Sequence, residues 1–286
     1  MTPLGTAVTA GTERAWIEFR RGFTNATDLG FYVVMSVVVF AILWFNRDTV
    51  VQVPGYELPS ATYALPSFVG GLIAFLSVLG VAYALAMERE DGTLLRAKSL
   101  PHGMTGYVVG QVLRTTLETI AGLTLALVPA MLFIDGILVD GVGGLVWLPA
   151  ILVLGLLATL PIGVVIGAVV RSVRQVNTWG SLPLFALIWA SGIFVPTIAL
   201  PQWARVVGQL FPVYWLGLGT RAVLLPDEAA ALEIGGSWRP GWTVAVLVAW
   251  AVAGVLVAVP ILKRMAARES GSAIAERRER ALQRTY

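Results

Sequence analysis

The chain has 286 residues, 57% of them hydrophobic and 13% charged, with a formal net charge of +3 and a mean hydropathy of +0.79. A soluble domain carries about 25% charged residues, so half of the usual surface charge is missing; a soluble globular protein is excluded in favour of a polytopic membrane protein. With no cysteine and a single histidine, His102, disulfides, thiolate metal centres and multi-histidine sites are excluded too.

In chain order, Met1–Asp28 is polar and mixed in charge, without the apolar core of a cleavable signal. Within it, Glu13–Arg21 reads as an amphipathic interfacial segment, with Trp16, Ile17 and Phe19 toward lipid and Arg14, Arg20 and Arg21 toward water or headgroups. Six segments reach the ~20 residues needed to cross a hydrocarbon core: Leu29–Phe45, Ala64–Met87, Tyr107–Ile134, Leu145–Val170, Thr178–Val195 and Trp242–Leu262. Between the second and third lies a charged block, Met87 to Pro101. There Gly92 and Thr93 follow Glu88-Arg89-Glu90-Asp91 as a turn into a short helix, stopped by Pro101 and Gly103. Such a helix lies along the membrane face with Leu94, Leu95 and Leu100 offered to lipid or to a partner; a plain solvated loop fits the same spacing. In the third span Arg114 and Glu118 stand i,i+4 and can pair. Asp135 and Asp140 flank the short third loop, where solvation at the outer surface accounts for them.

The fourth span carries Gly163-x3-Gly167, a face for close helix approach. Pro129, Pro161 and Pro183 can kink their helices. After the fifth span the apolar stretch Val206–Leu225 is long enough for another crossing, but Pro212 interrupts it. A seventh crossing would also send the basic tail outward. Two short helices are expected instead, one starting near Pro201 and breaking at Phe211-Pro212, the next running to about Leu225, with Trp203, Tyr214, Trp215 and Trp238 suited to the interface. The chain then divides into an N-terminal segment (1–28), a six-helix membrane body (29–262) and a basic tail (263–286), together one domain.

Orientation follows from arginine and lysine in the connecting segments. Fifteen lie on the side of the termini, the block and the loop after the fourth span, against four on the other side. Both termini are therefore expected in the cytoplasm, and the basic residues serve topology rather than nucleic acid. The chain carries no G-x4-G-K-[ST] phosphate loop, no His-Glu metal motif and no Ser-His-Asp arrangement. Glu118 is its sole deep acidic candidate for proton coupling.

Glu88-Arg89-Glu90-x-Gly92-Thr93-Leu94, with Pro101 seven residues on, resembles the loop between the second and third helices of type-2 ABC transporter permeases. A second stretch resembles that family's outer re-entrant helix pair: Ser191-Gly192-x-Phe194-x-Pro196-x3-Leu200-Pro201-x-Trp203, then Phe211-Pro212 and Arg221. The resemblance implies an all-α fold of six helices spanning the plasma membrane, with both termini on the cytoplasmic side. It assigns coupling to an ATPase to Glu88, Arg89, Glu90, Gly92, Thr93, Leu94 and Pro101, and an outer gate to Phe194, Pro196, Pro201, Trp203, Pro212 and Arg221. It makes the segment around Trp16, Phe19, Arg20 and Arg21 a connecting helix. It further implies an exporter of amphipathic, lipid-like, drug or polysaccharide-type cargo. No cofactor is expected on this chain, with ATP and magnesium held by separate ATPase subunits, and a second permease subunit and membrane lipids as further partners. Two other readings stay open at this point: a membrane enzyme acting on lipid-linked substrates, and a scaffold that transports nothing.

Overall fold

The computed structural model describes residues 3–53, 56–100, 102–134, 146–170 and 172–268. Helix α1 (Pro3–Thr24) runs into α2 (Ala26–Phe45), with Asn25 between them accepting the backbone N–H of Thr27 on its side chain. This is the N-cap that a short polar side chain supplies to an orphaned helix N–H. A small antiparallel hairpin follows, β1 (Val50–Val53) paired with β2 (Tyr56–Pro59) in the register Val50 to Pro59. The remaining helices are α3 (Ser60–Asp91), α4 (Thr93–Ser99), α5 (Gly103–Phe133), α6 (Leu148–Val169), α7 (Val173–Gln175), α8 (Ser181–Ala190), α9 (Gln202–Leu210), α10 (Pro212–Leu224) and α11 (Pro240–Arg268).

Five of these, α2, α3, α5, α6 and α11, are long and apolar enough to cross a membrane. The fold is the helical polytopic class, with the hairpin as an unanticipated addition. Alternation explains it, because Val53 and Leu58 bury their side chains against the Asp227–Leu232 turn while Val50 and Glu57 stay exposed. The fifth expected span, Thr178–Val195, is built differently from the others. Its chain runs from α7 through a π segment, Val176–Gly180, into α8, and stops at Ala190 before a turn in which Gly192 takes a φ of 78°. Pro183 lies in the first turn of α8, just after the π segment.

The central helix is α3, most of whose residues are buried, packed on α5, α6, α8 and α10. The outer faces of α2 and α11 remain apolar and exposed, as at Val34, Val37, Val252 and Leu256. Such faces suit a hydrocarbon solvent. Glycines let the backbones touch. A Cβ on Gly163 would fall 2.5 Å from the Val78 carbonyl oxygen, and one on Gly167 would fall 3.0 Å from the Ala82 Cα, so the Gly163-x3-Gly167 face is taken up by α3. A similar crossing joins α1 to α5, where Gly11 lies on the Gly106 carbonyl and a Cβ on Gly110 would meet the Gly11 oxygen at 2.9 Å. This locks α1 along the bundle, so it is a packed helix and not merely a surface float.

Candidate functional site: a stapled elbow and its cavity

The charged block forms an elbow. Helix α3 extends past the apolar stretch to Asp91, and Gly92 turns the chain at a φ of 76°, from which α4 starts. That left-handed backbone costs a residue with a Cβ roughly 1–2 kcal/mol, which explains glycine at the bend.

Three consecutive charged residues tie the elbow to three other elements. The Arg14 guanidinium of α1 donates to Glu88 Oε1 and, through Nε, to Glu18 Oε1 at 2.7 Å. Arg89 donates to the carbonyl oxygens of Gly167, Ala168 and Val170 at 3.4, 3.3 and 3.0 Å, and so covers the C-terminal end of α6. Glu90 Oε1 accepts the Val173 N–H at 3.3 Å, at the start of α7. Leu94 of α4 is buried with Leu85, Tyr107, Leu262 and Met265, which anchors the short helix to α3, α5 and α11. Thr93 is half-buried beside it. The Arg14 side chain also stands over the Tyr107 ring, 5.3 Å from its centroid. Burial alone lowers the pKa of Arg14, but the facing carboxylates of Glu88 and Glu18 outweigh it and hold the guanidinium above its ordinary range. The coupling residues named from the sequence are thus brought together, but Glu88 is buried and Arg89 half-buried against the bundle, while Glu90 stays exposed at its bond to Val173. The surface of the elbow is formed by Glu90, Asp91, Arg96, Ser99, Leu100 and His102. Pro101 lies outside the described residues.

A chain of charges runs inward from the elbow. Glu18 Oε2 accepts Arg114 Nη1 at 3.1 Å, and Arg114 Nε donates to Glu118 at 2.7 Å, the expected i,i+4 pair. The linked series Glu88–Arg14–Glu18–Arg114–Glu118 therefore joins α3, α1 and α5. It borders a cavity of about 830 Å³ between α1, α2, α3, α5 and α8. On α1, Trp16 and Ile17 are exposed, as are Arg20 and Arg21, and Phe19 is half-buried. Trp16, Phe19, Phe23 and Tyr32 form a ladder of rings with centroids 5.7, 5.0 and 5.6 Å apart, carrying α1 onto α2.

At the opposite end of the bundle, α9 and α10 form the expected helix pair, broken at Phe211. Pro201 precedes the first helix and Pro212 opens the second, positions where a missing N–H costs no ladder bond. Phe194 is exposed and packs edge-on to Phe68, and the exposed Trp203 lies 6.0 Å from Trp189. Pro196 precedes the turn Thr197–Ala199. Arg221 behaves differently from these. It is fully buried, with Nε donating to Glu233 Oε1 at 2.6 Å and Nη1 to Ser67 Oγ at 3.3 Å, while Thr197 Oγ1 donates to Glu233 Oε2 at 3.0 Å. Its role is to pin α10 to α3 and to the loop after α10, inside the pair and away from its surface. Glu18, Ser67 and Glu233 were not singled out from the sequence. Ser67 and Glu233 meet their partners across long chain separations or across a turn, where no periodic spacing marks them, whereas Glu18 stands i,i+4 from Arg14, a spacing that could have marked it.

A model of the family described as ABC-2 type transporter matches residues 6–225. That range takes in the elbow, the cavity and α9 with α10. A search of curated proteins finds no match.

Proposed function

The chain belongs to the ABC-2 type transporter family, and from that membership we propose that it is the permease subunit of an exporter driven by separate ATPase subunits that hold ATP and magnesium. Two permease chains, identical or related, would form the path. The run from Val173 to Ala190, at most roughly 27 Å long at 1.5 Å per residue, would be the sixth crossing beside the five long helices. The arginine and lysine distribution supports a cytoplasmic side for α4, both termini and the basic tail, in a protein of the plasma membrane.

The observation that carries this reading is the triple tie at Glu88, Arg89 and Glu90. A lever must be stiff, and an element held at one point would bend under load. Here a push on α4 reaches α1 through Arg14, α6 through Arg89 and α7 through Glu90. Closure of the ATPase pair would tilt these helices together and move the cavity from the inner toward the outer side, a two-state rigid-body change biased by a ligand bound elsewhere. The α9–α10 pair, held by the buried Arg221–Glu233 bond, would serve as the outer gate, with Phe194, Pro196, Pro201, Trp203 and Pro212 forming its surface and hinge positions. Amphipathic, lipid-like, drug or polysaccharide-type cargo fits this arrangement.

Affinity purification of the full-length chain from its native membrane tests the reading. An ATPase with a phosphate loop is expected to co-purify, with hydrolysis that rises when cargo is added. An isolated chain that moves cargo with no nucleotide hydrolysed would overturn it.

A further inference from the structure

The cavity beside the elbow carries more than the transport cycle needs, and it points to the kind of cargo. Its lining holds five carboxylates, Glu18, Asp28, Glu88, Asp91 and Glu118, against three guanidiniums, Arg14, Arg21 and Arg114. At neutral pH that leaves two negative charges in excess. Arg14 and Arg114 are already engaged with Glu18, Glu88 and Glu118.

Two further observations point to a ligand. Thr119 Oγ1 is buried, faces no hydrogen-bond partner, and belongs to a residue that lines this cavity, whereas the Glu88 carboxylate is met by Arg14 and the Tyr107 hydroxyl. A buried hydroxyl left without a partner is costly unless a bound group supplies one. The wall next to the carboxylates is aromatic, formed by Phe31, Tyr32, Phe75, Tyr83 and Phe185, with the rings of Phe75 and Phe185 centred 5.6 Å apart. The faces of such rings are negative and attract cations. The volume, about 830 Å³, lies in the range of sites for drug-sized molecules.

Resting on the permease reading above, we propose that this cavity receives the cargo and that the cargo is an amphipathic organic cation. Its apolar body seats on the ring wall, and its positive centre sits among the carboxylates near Glu88. An anion of the same shape meets the excess negative charge and is rejected. Uncharged sugar chains would leave that excess uncompensated.

The test uses the purified permease–ATPase complex in a zwitterionic detergent, with micelle-only binding subtracted, and two probes of nearly equal shape and opposite charge, tetraphenylphosphonium and tetraphenylborate. The cation is expected to bind saturably and at least about tenfold more tightly than the anion. The double variant Asp28→Asn, Asp91→Asn changes two acids outside the Glu88–Arg14–Glu18–Arg114–Glu118 series. It is expected to lower cation affinity about three- to tenfold while the complex still assembles. Equal binding of the two ions, preference for the anion, absence of saturable cation binding, or an unaltered cation affinity in the double variant would each overturn the assignment. A complex that hydrolyses ATP but fails these tests loses only the cargo class. A chain that recruits no ATPase fails the permease reading instead.

Discussion

Arg221 and Glu233 show what one residue can decide. The pair is fully buried, and charges taken out of water persist only when matched. Removing one partner leaves the other uncompensated, which costs roughly 3–5 kcal/mol. Arg221→Ala is therefore expected to lower the thermal midpoint of the detergent-purified chain sharply and to loosen α10, whereas Arg221→Met combined with Glu233→Leu should recover most of the loss. A single variant as stable as the wild type would show that the bond carries no weight. At the elbow, Gly92 has the clearest signature, since its left-handed backbone is a property of the residue and not of its neighbours. That bend was legible from the sequence because glycine and threonine follow a run of charge. The directions of Glu88, Arg89 and Glu90 were not, because charge alone marks a wet loop as well as it marks a tie to a helix end.

Among the elements, the α1–α5 crossing is the one a hydropathy reading misses. Gly11 and Gly106 stand close enough that a side chain on either would meet the facing backbone. Gly11→Leu is expected to force α1 off α5, an overpacking cost of roughly 1–3 kcal/mol or more, with loss of the Arg14–Glu88 contact and of transport. Gly30→Leu, where a Cβ meets nothing within 4 Å, is the control and is expected to leave the thermal midpoint unchanged or slightly higher, since leucine favours a helix over glycine by roughly 1 kcal/mol. Equal midpoints for the two variants would remove the crossing from the account. The long apolar helices were readable because their signal is summed over some twenty residues. The break at Phe211-Pro212 was readable from one proline. The β hairpin and the π segment were not, since each is a local choice made where α3 and α6 dictate the path. The small-residue stripe Ala7, Gly11 and Ala15 was present in the sequence at i,i+4 spacing, but it lies in a segment whose aromatic and charged residues drew attention to its other face.

At the scale of the molecule, two ends of one bundle are built for different tasks. One end carries an open elbow with exposed Arg96, Leu100 and His102, tied inward at three points and bordering the acidic, ring-lined cavity. The other is closed by α9, α10 and the hairpin around a buried ionic bond. Family membership was legible from two motifs and their placement, whereas the cavity was not, because Glu18, Asp28, Glu88 and Glu118 are spread over four helices and meet only after folding. On the proposed function, a rigid elbow with the cavity at its back serves to transmit motion. The most direct measurement is the ratio of cargo moved to ATP hydrolysed in vesicles containing the permease–ATPase complex, compared with the double variant Arg89→Ala, Glu90→Ala. The account predicts that the variant inserts, binds the ATPase and hydrolyses ATP while cargo movement per ATP falls about tenfold or more, the factor that corresponds to 1.4 kcal/mol of lost coupling. An unchanged ratio in a well-folded double variant would contradict it.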